Sequence, residues 1–138
     1  MSFSEYISPL VGRVVLAWFF LSEAIAYAGN WDATVSLMLL KHIPAAPALL
    51  ALALIVLLLG GLSLLLGYHA RHGAMFLFGL TVIVTIVMHD FWTLRDAVDR
   101  ASDYEMFARN AAIAGGLLII VGLGPGGFAI DNVGKKKR

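Results

Sequence analysis

The chain contains no cysteine, which excludes disulfide bonds, thiolate metal sites and catalytic thiols. Charge is scarce as well, since Asp, Glu, Lys and Arg together make up 14% of the residues. No hydrophilic stretch is long enough for a separate soluble domain, and we find no phosphate-binding glycine loop, nucleophile motif or nucleic-acid signature. We therefore expect one domain, with no catalytic residues, metal site, covalently bound cofactor or nucleic-acid partner.

Apolar residues dominate what is present. Of the 138 residues 60% are hydrophobic, and the mean hydropathy is +0.86. A soluble domain of this size could not bury so much apolar surface, so the composition indicates an integral membrane protein. The long apolar runs predict an all-α, four-helix transmembrane bundle. Its predicted spans are residues 9–28, 47–66, 73–90 and 106–123.

Short-range signals predict where the helices begin and end. Ser8 as N-cap and Pro9 at the first helical position predict the start of the first helix. The segment 37–40 predicts a short interfacial turn. The spacing of apolar residues over 94–101 predicts a separate surface helix before the fourth span. The run 124–127, Gly-Pro-Gly-Gly, ends the fourth helix.

Two charged residues lie within the predicted spans and need an explanation. Glu23 is well inside the first helix and Arg109 is near the start of the fourth. A lone carboxylate in hydrocarbon is costly, so we expect Glu23 to face the interior and pair with Arg109, with Tyr27 nearby. The pair has two interpretations: a salt bridge that fixes helix register, or part of a pocket for a quinone headgroup or a lipid. The residues assigned to that pocket are Glu23, Arg109, His89, Trp18 and Trp92.

The remaining titratable residues give weaker signals. The neighbours His89 and Asp90 could transfer a proton or could simply lie at the membrane interface. His69 and His72 have no third ligand nearby, which argues against a metal site. Arg13, early in the first helix, is predicted to extend to lipid phosphates.

Small residues indicate where helices can approach one another closely. On the fourth helix Ala108, Ala112 and Gly116 recur every four residues. On the second helix, which is apolar on every side, Gly60, Gly61 and Ser63 are predicted to contact another membrane protein. The loop from residue 91 to 105, aromatic at its start and then rich in mixed charges, is a second predicted docking surface.

Charge asymmetry predicts the topology. Four spans place both termini on one side, together with Arg71 and the basic tail 135–138. The positive-inside rule makes that side the cytoplasm. We therefore expect a multi-pass protein of a bacterial inner membrane with both termini cytoplasmic.

One sequence feature in each of the four helices, taken in order, makes the chain resemble the DoxX family from about Gly12 to Asp131. The features are the Arg early in the first helix, LLLGGLSLLLG in the second, MHDFW at the end of the third, and ARNAAIAGGLLII followed by GPGGFAID in the fourth and just after it. Two departures stand out: the family's Lys after the first-helix Ser is missing after Ser22, and Leu57 stands where a Glu is frequent.

The resemblance implies a small four-helix membrane protein linked to quinone chemistry. The family takes its name from a small membrane subunit associated with thiosulfate:quinone oxidoreductase and terminal quinol oxidase activity. The favoured interpretation is an accessory or anchor subunit of a redox membrane complex, without a redox centre of its own, whose partners are other membrane subunits and lipids. The alternative is a stand-alone quinone-reactive oxidoreductase, or a small-molecule or ion transporter, that uses the Glu, Arg and His residues within the membrane.

Overall fold

A computed structural model describes residues 2–133 of the chain, and these form helices joined by short connections, with no strand among them. Four helical segments are long and apolar enough to cross a membrane, which confirms the predicted all-α membrane bundle. A 3-10 turn at Phe91–Thr93 precedes α5. The helices are α1 (Phe3–Gly29), α2 (Trp31–Leu40), α3 (Ala46–Leu66), α4 (Ala70–Met88), α5 (Ala97–Leu123) and α6 (Ile130–Val133).

The first helix begins earlier than the sequence predicted. It starts at Phe3, and Pro9 lies inside it and not at its first position. Glu5 stabilises this start, because its carboxylate accepts a hydrogen bond of 2.7 Å from the Ser2 N–H, which has no acceptor within the helix. Pro9 lacks one backbone donor, yet α1 is continuous through it from Phe3.

The fourth span is longer than predicted. The surface helix expected over 94–101 and the span expected from 106 are one continuous helix, α5. Asp96 is its N-cap, and its carboxylate accepts hydrogen bonds from the N–H groups of Val98 and Asp99 at 3.0 and 3.1 Å. No Gly or Pro interrupts the chain between the cap and Ala114, so the helix continues into the apolar run.

The other observed helix boundaries differ less from the predicted ones. The interfacial turn predicted at 37–40 is the end of the ten-residue helix α2. The second span, expected over 47–66, is observed as α3, and the third, expected over 73–90, as α4. Gly124, with φ 87°, ends α5 as the sequence predicted. The basic residues 135–138 lie outside the described part of the chain.

The spanning helices pack in the order α1, α3, α4, α5, with close backbone contact between successive members. The helices α1 and α5 approach through side chains: a Cβ added at Gly116 would lie 3.8 Å from Leu16 Cδ1. The core is built from buried residues of all four helices. These residues are Ala17, Phe20, Ala24, Leu57, Leu64, Ala74, Leu77, Leu117 and Ile120.

The glycine pair of α3 packs inside the bundle. A Cβ at Gly60 would lie 2.6 Å from Leu77 Cγ of α4, and one at Gly61 would lie 2.9 Å from Leu21 Cγ of α1. Ser63 contacts α4 in the same way, against Gly73. The prediction that Gly60, Gly61 and Ser63 contact a separate membrane protein is therefore wrong: Gly60 and Ser63 pack against α4, and Gly61 packs against α1.

The small residues of α5 are, by contrast, mostly uncovered. Ala108, Ala111, Ala112, Gly115 and Gly122 lie on one exposed side of α5, which we call the α5 face. A Cβ added at Gly115 or Gly122 would meet no atom within 4 Å. The buried side of the helix carries Asn110, Ala114, Leu117 and Ile120.

Candidate functional site

Polar side chains gather at the two ends of the bundle. We call the end formed by the α1–α2 turn and the connection from α4 to α5 the loop end. The terminal end contains the start of α1, the turn at 67–69 and the segment 124–133. The residues predicted from sequence to form a pocket lie on α1, at the end of α4, in the 3-10 turn and on α5.

At the loop end, Glu23, Tyr27 and Arg109 lie near one another. The charges of the Glu23 carboxylate, one turn earlier on α1, and of the Arg109 guanidinium on α5 both act on the Tyr27 hydroxyl. No ion pair within 4.0 Å joins Glu23 directly to Arg109. Glu23 is partly buried, whereas Arg109 is exposed on the bundle surface beside the α5 face. The three residues form a polar group at the edge between α1 and α5.

His89 and Asp90 have separate partners. His89 Nδ1 lies 2.9 Å from Asp103 Oδ1 of α5, and Asp103 Oδ2 is buried without a hydrogen-bond partner. Asp90 instead forms an ion pair with Lys41 at the end of α2, and its second carboxylate oxygen accepts a hydrogen bond from Thr93. The loop end is therefore held by one link from α4 to α5 and another from α2 to the α4–α5 connection. Direct proton transfer between His89 and Asp90 has no support in this geometry.

Of the two tryptophans assigned to the pocket, only Trp92 has aromatic neighbours. Its ring lies 5.3 Å from Phe91 and 6.2 Å from Phe107, and Phe91 also contacts Tyr104. Trp18 is 68% exposed on α1, and no ring contact joins it to Trp92 in the described part of the chain. The structure thus places Trp92 at the loop end and Trp18 on the outer surface of α1.

Arg13 occupies a site that sequence reasoning did not find. It was predicted to extend to lipid phosphates, but its side chain is 1% exposed at the terminal end. Its guanidinium donates hydrogen bonds to the carbonyl oxygens of Leu64, at 3.3 Å, and Phe128. Gly67, with φ 66°, leaves room for it, because a Cβ there would lie 2.0 Å from Arg13 Nη1. Arg13 therefore joins α1 to the end of α3 and to the C-terminal segment.

Asp131 completes this arrangement. Its carboxylate accepts hydrogen bonds from the N–H groups of His69, at 2.8 Å, and Ala70, at 3.1 Å, and so caps the start of α4 from a distant part of the chain. Its own N–H donates to Gly67 O at 3.0 Å, and its negative charge also acts on Arg13. The sequence offered only a weak signal for this site: an Arg inside an apolar run, and far along the chain an acid after a glycine-rich turn.

The turn and the C-terminal segment surround a cavity of about 370 Å³ at the terminal end. Arg71 is beside it and donates a long hydrogen bond of 3.4 Å to Val121 O. The rings of His69 and His72 lie 5.6 Å apart at its edge. Among the described residues no cluster of three His, Cys, Asp or Glu side chains could hold a metal ion. The cavity is lined by Glu5, His69, Arg71, His72, Leu123, Gly124, Pro125, Gly126, Gly127, Asp131 and Asn132.

Fold and polar clusters together define a small multi-pass membrane protein. The DoxX family model matches residues 8–90, more than half of the chain, so the chain belongs to the DoxX family, as the resemblance indicated. The SURF4 family model matches residues 54–138, so the second half also carries that pattern.

Two known proteins are similar to this chain. Inner membrane protein YqjF of Escherichia coli (strain K12) is 27% identical over 133 residues, which cover 96% of either chain. Surfeit locus protein 4 homolog of Drosophila melanogaster is 36% identical over 77 residues, which are 51% of this chain and 27% of that one. No solved structure matches the chain.

Proposed function

We propose that the chain is an accessory subunit of a quinone-linked redox complex in a bacterial inner membrane, and that it contributes no redox centre itself. The α5 face carries the proposal. Inside a membrane, helices associate through close packing of small residues. The small residues of α3 are already filled by Leu77 and Leu21, whereas those of α5 are exposed.

Arg109 strengthens the case for a partner helix at this face. It follows Ala108 directly, is exposed, and forms no ion pair within 4.0 Å with any described residue. An Arg on a lipid-facing surface is costly unless it reaches the interface or finds an acceptor. A polar group on a docked helix would provide that acceptor. That the partner handles electrons and quinones rests on the DoxX resemblance.

The test compares two exposed glycines, of which only one lies on the α5 face. Gly115 on the α5 face and Gly12 on α1 are both exposed helix residues with no atom within 4 Å of an added Cβ. The wild-type protein, gently purified, should carry the partner. The Gly115→Leu variant should lose the partner, whereas the Gly12→Leu variant should retain it. Size-exclusion chromatography with mass spectrometry and an assay of quinone-dependent electron transfer measure this outcome.

Two results would reject the accessory-subunit proposal. One is a wild-type protein that is recovered only with lipid or with copies of itself. The other is reduction of a quinone by the isolated subunit, which would favour the stand-alone alternative. That alternative has one observation behind it, the Glu23–Tyr27–Arg109 group at the edge of the bundle. It predicts that Glu23→Gln abolishes activity of the isolated chain.

A further inference from the structure

The cavity at the terminal end lies directly beyond the apolar part of α5. Leu123 is the last residue of that helix, and the turn 124–127 that follows it forms one wall of the cavity. Asn132 holds this turn, because its side-chain amide donates a hydrogen bond of 2.6 Å to Gly126 O. Since the phosphates of a bilayer lie just outside its hydrocarbon core, the cavity is at the depth of these groups.

Hydrogen-bond donors in this wall are unused. The backbone N–H groups of Gly126 and Gly127 have no acceptor among the described residues. Gly126 has a φ of 83°, and successive N–H groups in a turn of this kind form a concave surface that binds anions. The wall therefore offers two neutral donors to an anionic oxygen.

Arg71, in the first turn of α4, adds a charged donor to the same cavity. Its guanidinium lies over the end of α5, where a Cβ at Gly124 would come within 3.1 Å of Nη2 and 3.2 Å of Nε. Nη1 donates one long hydrogen bond of 3.4 Å to Val121 O, which leaves most of the five N–H donors of Arg71 for a ligand. A guanidinium with free donors suits phosphate, because it can bind two phosphate oxygens at once.

The two acidic residues of the cavity are already engaged within the chain. Asp131 accepts hydrogen bonds from two N–H groups at the start of α4, and its charge acts on Arg13. Glu5 accepts a hydrogen bond from Ser2 N–H, and both carboxylates have a further interaction besides these. The groups that remain for a ligand are therefore donors, and they favour an anion.

The size and the rim of the cavity fit a phosphate ester. Its volume of about 370 Å³ is typical of small-molecule sites and is larger than a phosphate ion needs. Leu123 on its rim is 82% exposed, and Ile119 one turn earlier is 62% exposed. The acyl chains of a phospholipid would cover this apolar stripe, whereas a soluble ester would leave it uncovered.

We propose that this cavity is a phosphate-binding site, with the phosphate oxygens at Arg71 and at the N–H groups of Gly126 and Gly127. The phosphate belongs to a membrane phospholipid or to a soluble phosphate ester, since both present the same acceptor oxygens. Recognition rests on the phosphate and not on the rest of the headgroup. A lipid that lacks phosphate should therefore not compete for the site.

Native mass spectrometry of the full chain tests the lipid source, with nanodiscs that contain equal amounts of phosphatidylcholine and monogalactosyl diacylglycerol. Both lipids are uncharged overall and have identical acyl chains, but only phosphatidylcholine has a phosphate, so it should be retained in preference. Arg71→Gln should lower its retention roughly tenfold, because charge-assisted hydrogen bonds are lost. Arg71→Lys, which keeps the charge without the bidentate geometry, should show a smaller loss and serves if Arg71→Gln does not fold.

Isothermal titration calorimetry with glycerol phosphate, in a maltoside detergent, tests the soluble source, and Arg71→Gln should weaken that binding by a similar factor. The matched control is Arg95→Gln, which removes an exposed Arg at the loop end and should leave both measurements unchanged. A dependence on Arg71 in only one of the two assays identifies the source of the phosphate. Equal retention of the two lipids together with no binding of glycerol phosphate, or equal losses in the Arg71 and Arg95 variants, would overturn the proposal.

Discussion

The guanidinium of Arg13 donates a hydrogen bond to the main-chain carbonyl oxygen of Phe128, 115 residues further along the chain. It also donates to Leu64 O in the last turn of α3, where carbonyl oxygens have no N–H donor within the helix. One buried side chain thus satisfies a helix end and fixes the C-terminal segment over it. This contact closes the terminal end of the bundle.

Replacing Arg13 should therefore cost stability. In Arg13→Met the carbonyl oxygens of Leu64 and Phe128 lose their donor and Asp131 loses a compensating charge. We expect the free energy of unfolding to fall by about 3 kcal/mol, the low end of what is found when one partner of a buried charged pair is removed. Thermal unfolding in detergent measures it, with Arg95→Met, an exposed site, as control. Equal melting temperatures for the two variants would show that Arg13 contributes no stability.

The packing of α3 against α4 gives a second prediction. In Gly60→Ala the new Cβ would lie 2.6 Å from Leu77 Cγ, so Leu77 or the helix must move. We expect a loss of roughly 1–3 kcal/mol, typical of overpacking. Gly79→Ala on α4 is the control, because its Cβ would meet no atom within 4 Å, and it should be neutral or stabilising by up to about 1 kcal/mol. A Gly60→Ala protein as stable as Gly79→Ala would contradict this packing.

The group at Glu23 gives a third prediction, about coupling. Because no ion pair within 4.0 Å joins Glu23 to Arg109, and because Arg109 is exposed, the two should be weakly coupled. A double-mutant cycle with Glu23→Gln and Arg109→Gln should give a coupling free energy of about 1 kcal/mol or less. A value of several kcal/mol would indicate the direct buried salt bridge first expected from the sequence.

Hydropathy predicted the main architecture well, because it depends on local composition. In the sequence, α3 and α5 each end where an apolar run meets a glycine, Gly67 and Gly124. Both glycines have a positive φ, which is common just after the end of a helix. The start of α5 was missed because the charged segment from Ala97 to Glu105 lowers the hydropathy, although Asp96 caps it and nothing breaks it. Helix propensity and membrane hydropathy are separate properties, and here they diverged.

Pairing between distant residues could not be predicted from the sequence alone. The pairs Gly60-Gly61 and Gly115-Gly116 look alike in sequence, yet only the first is packed tightly by neighbouring helices. Which pair is filled depends on the order of helices around the bundle, which no local pattern specifies. The same holds for Arg13, whose burial depends on a segment more than a hundred residues away, and for His89, which lies against Asp103 and not against its chain neighbour.

Sidedness in the membrane is the last prediction. The terminal end carries Arg71, whereas the loop end carries Lys41, Arg95, Arg100 and Arg109 together with most of the acids. Lys41 is neutralised by Asp90, so part of the basic charge at the loop end is offset. With the basic residues 135–138 following the terminal end in sequence, the positive-inside rule places that end in the cytoplasm.

Single cysteines test this without background, because the chain has none. Ser2 and His72 mark the terminal end and Ser102 marks the loop end, and all three are exposed. His72 is preferable to His69, whose φ of 49° would strain a cysteine. In intact cells a membrane-impermeant maleimide should label only Ser102→Cys, and the other two should react after the membrane is opened. Labelling of Ser2→Cys and His72→Cys from outside, with Ser102→Cys protected, would place both termini on the opposite side and show that the tail does not set the orientation.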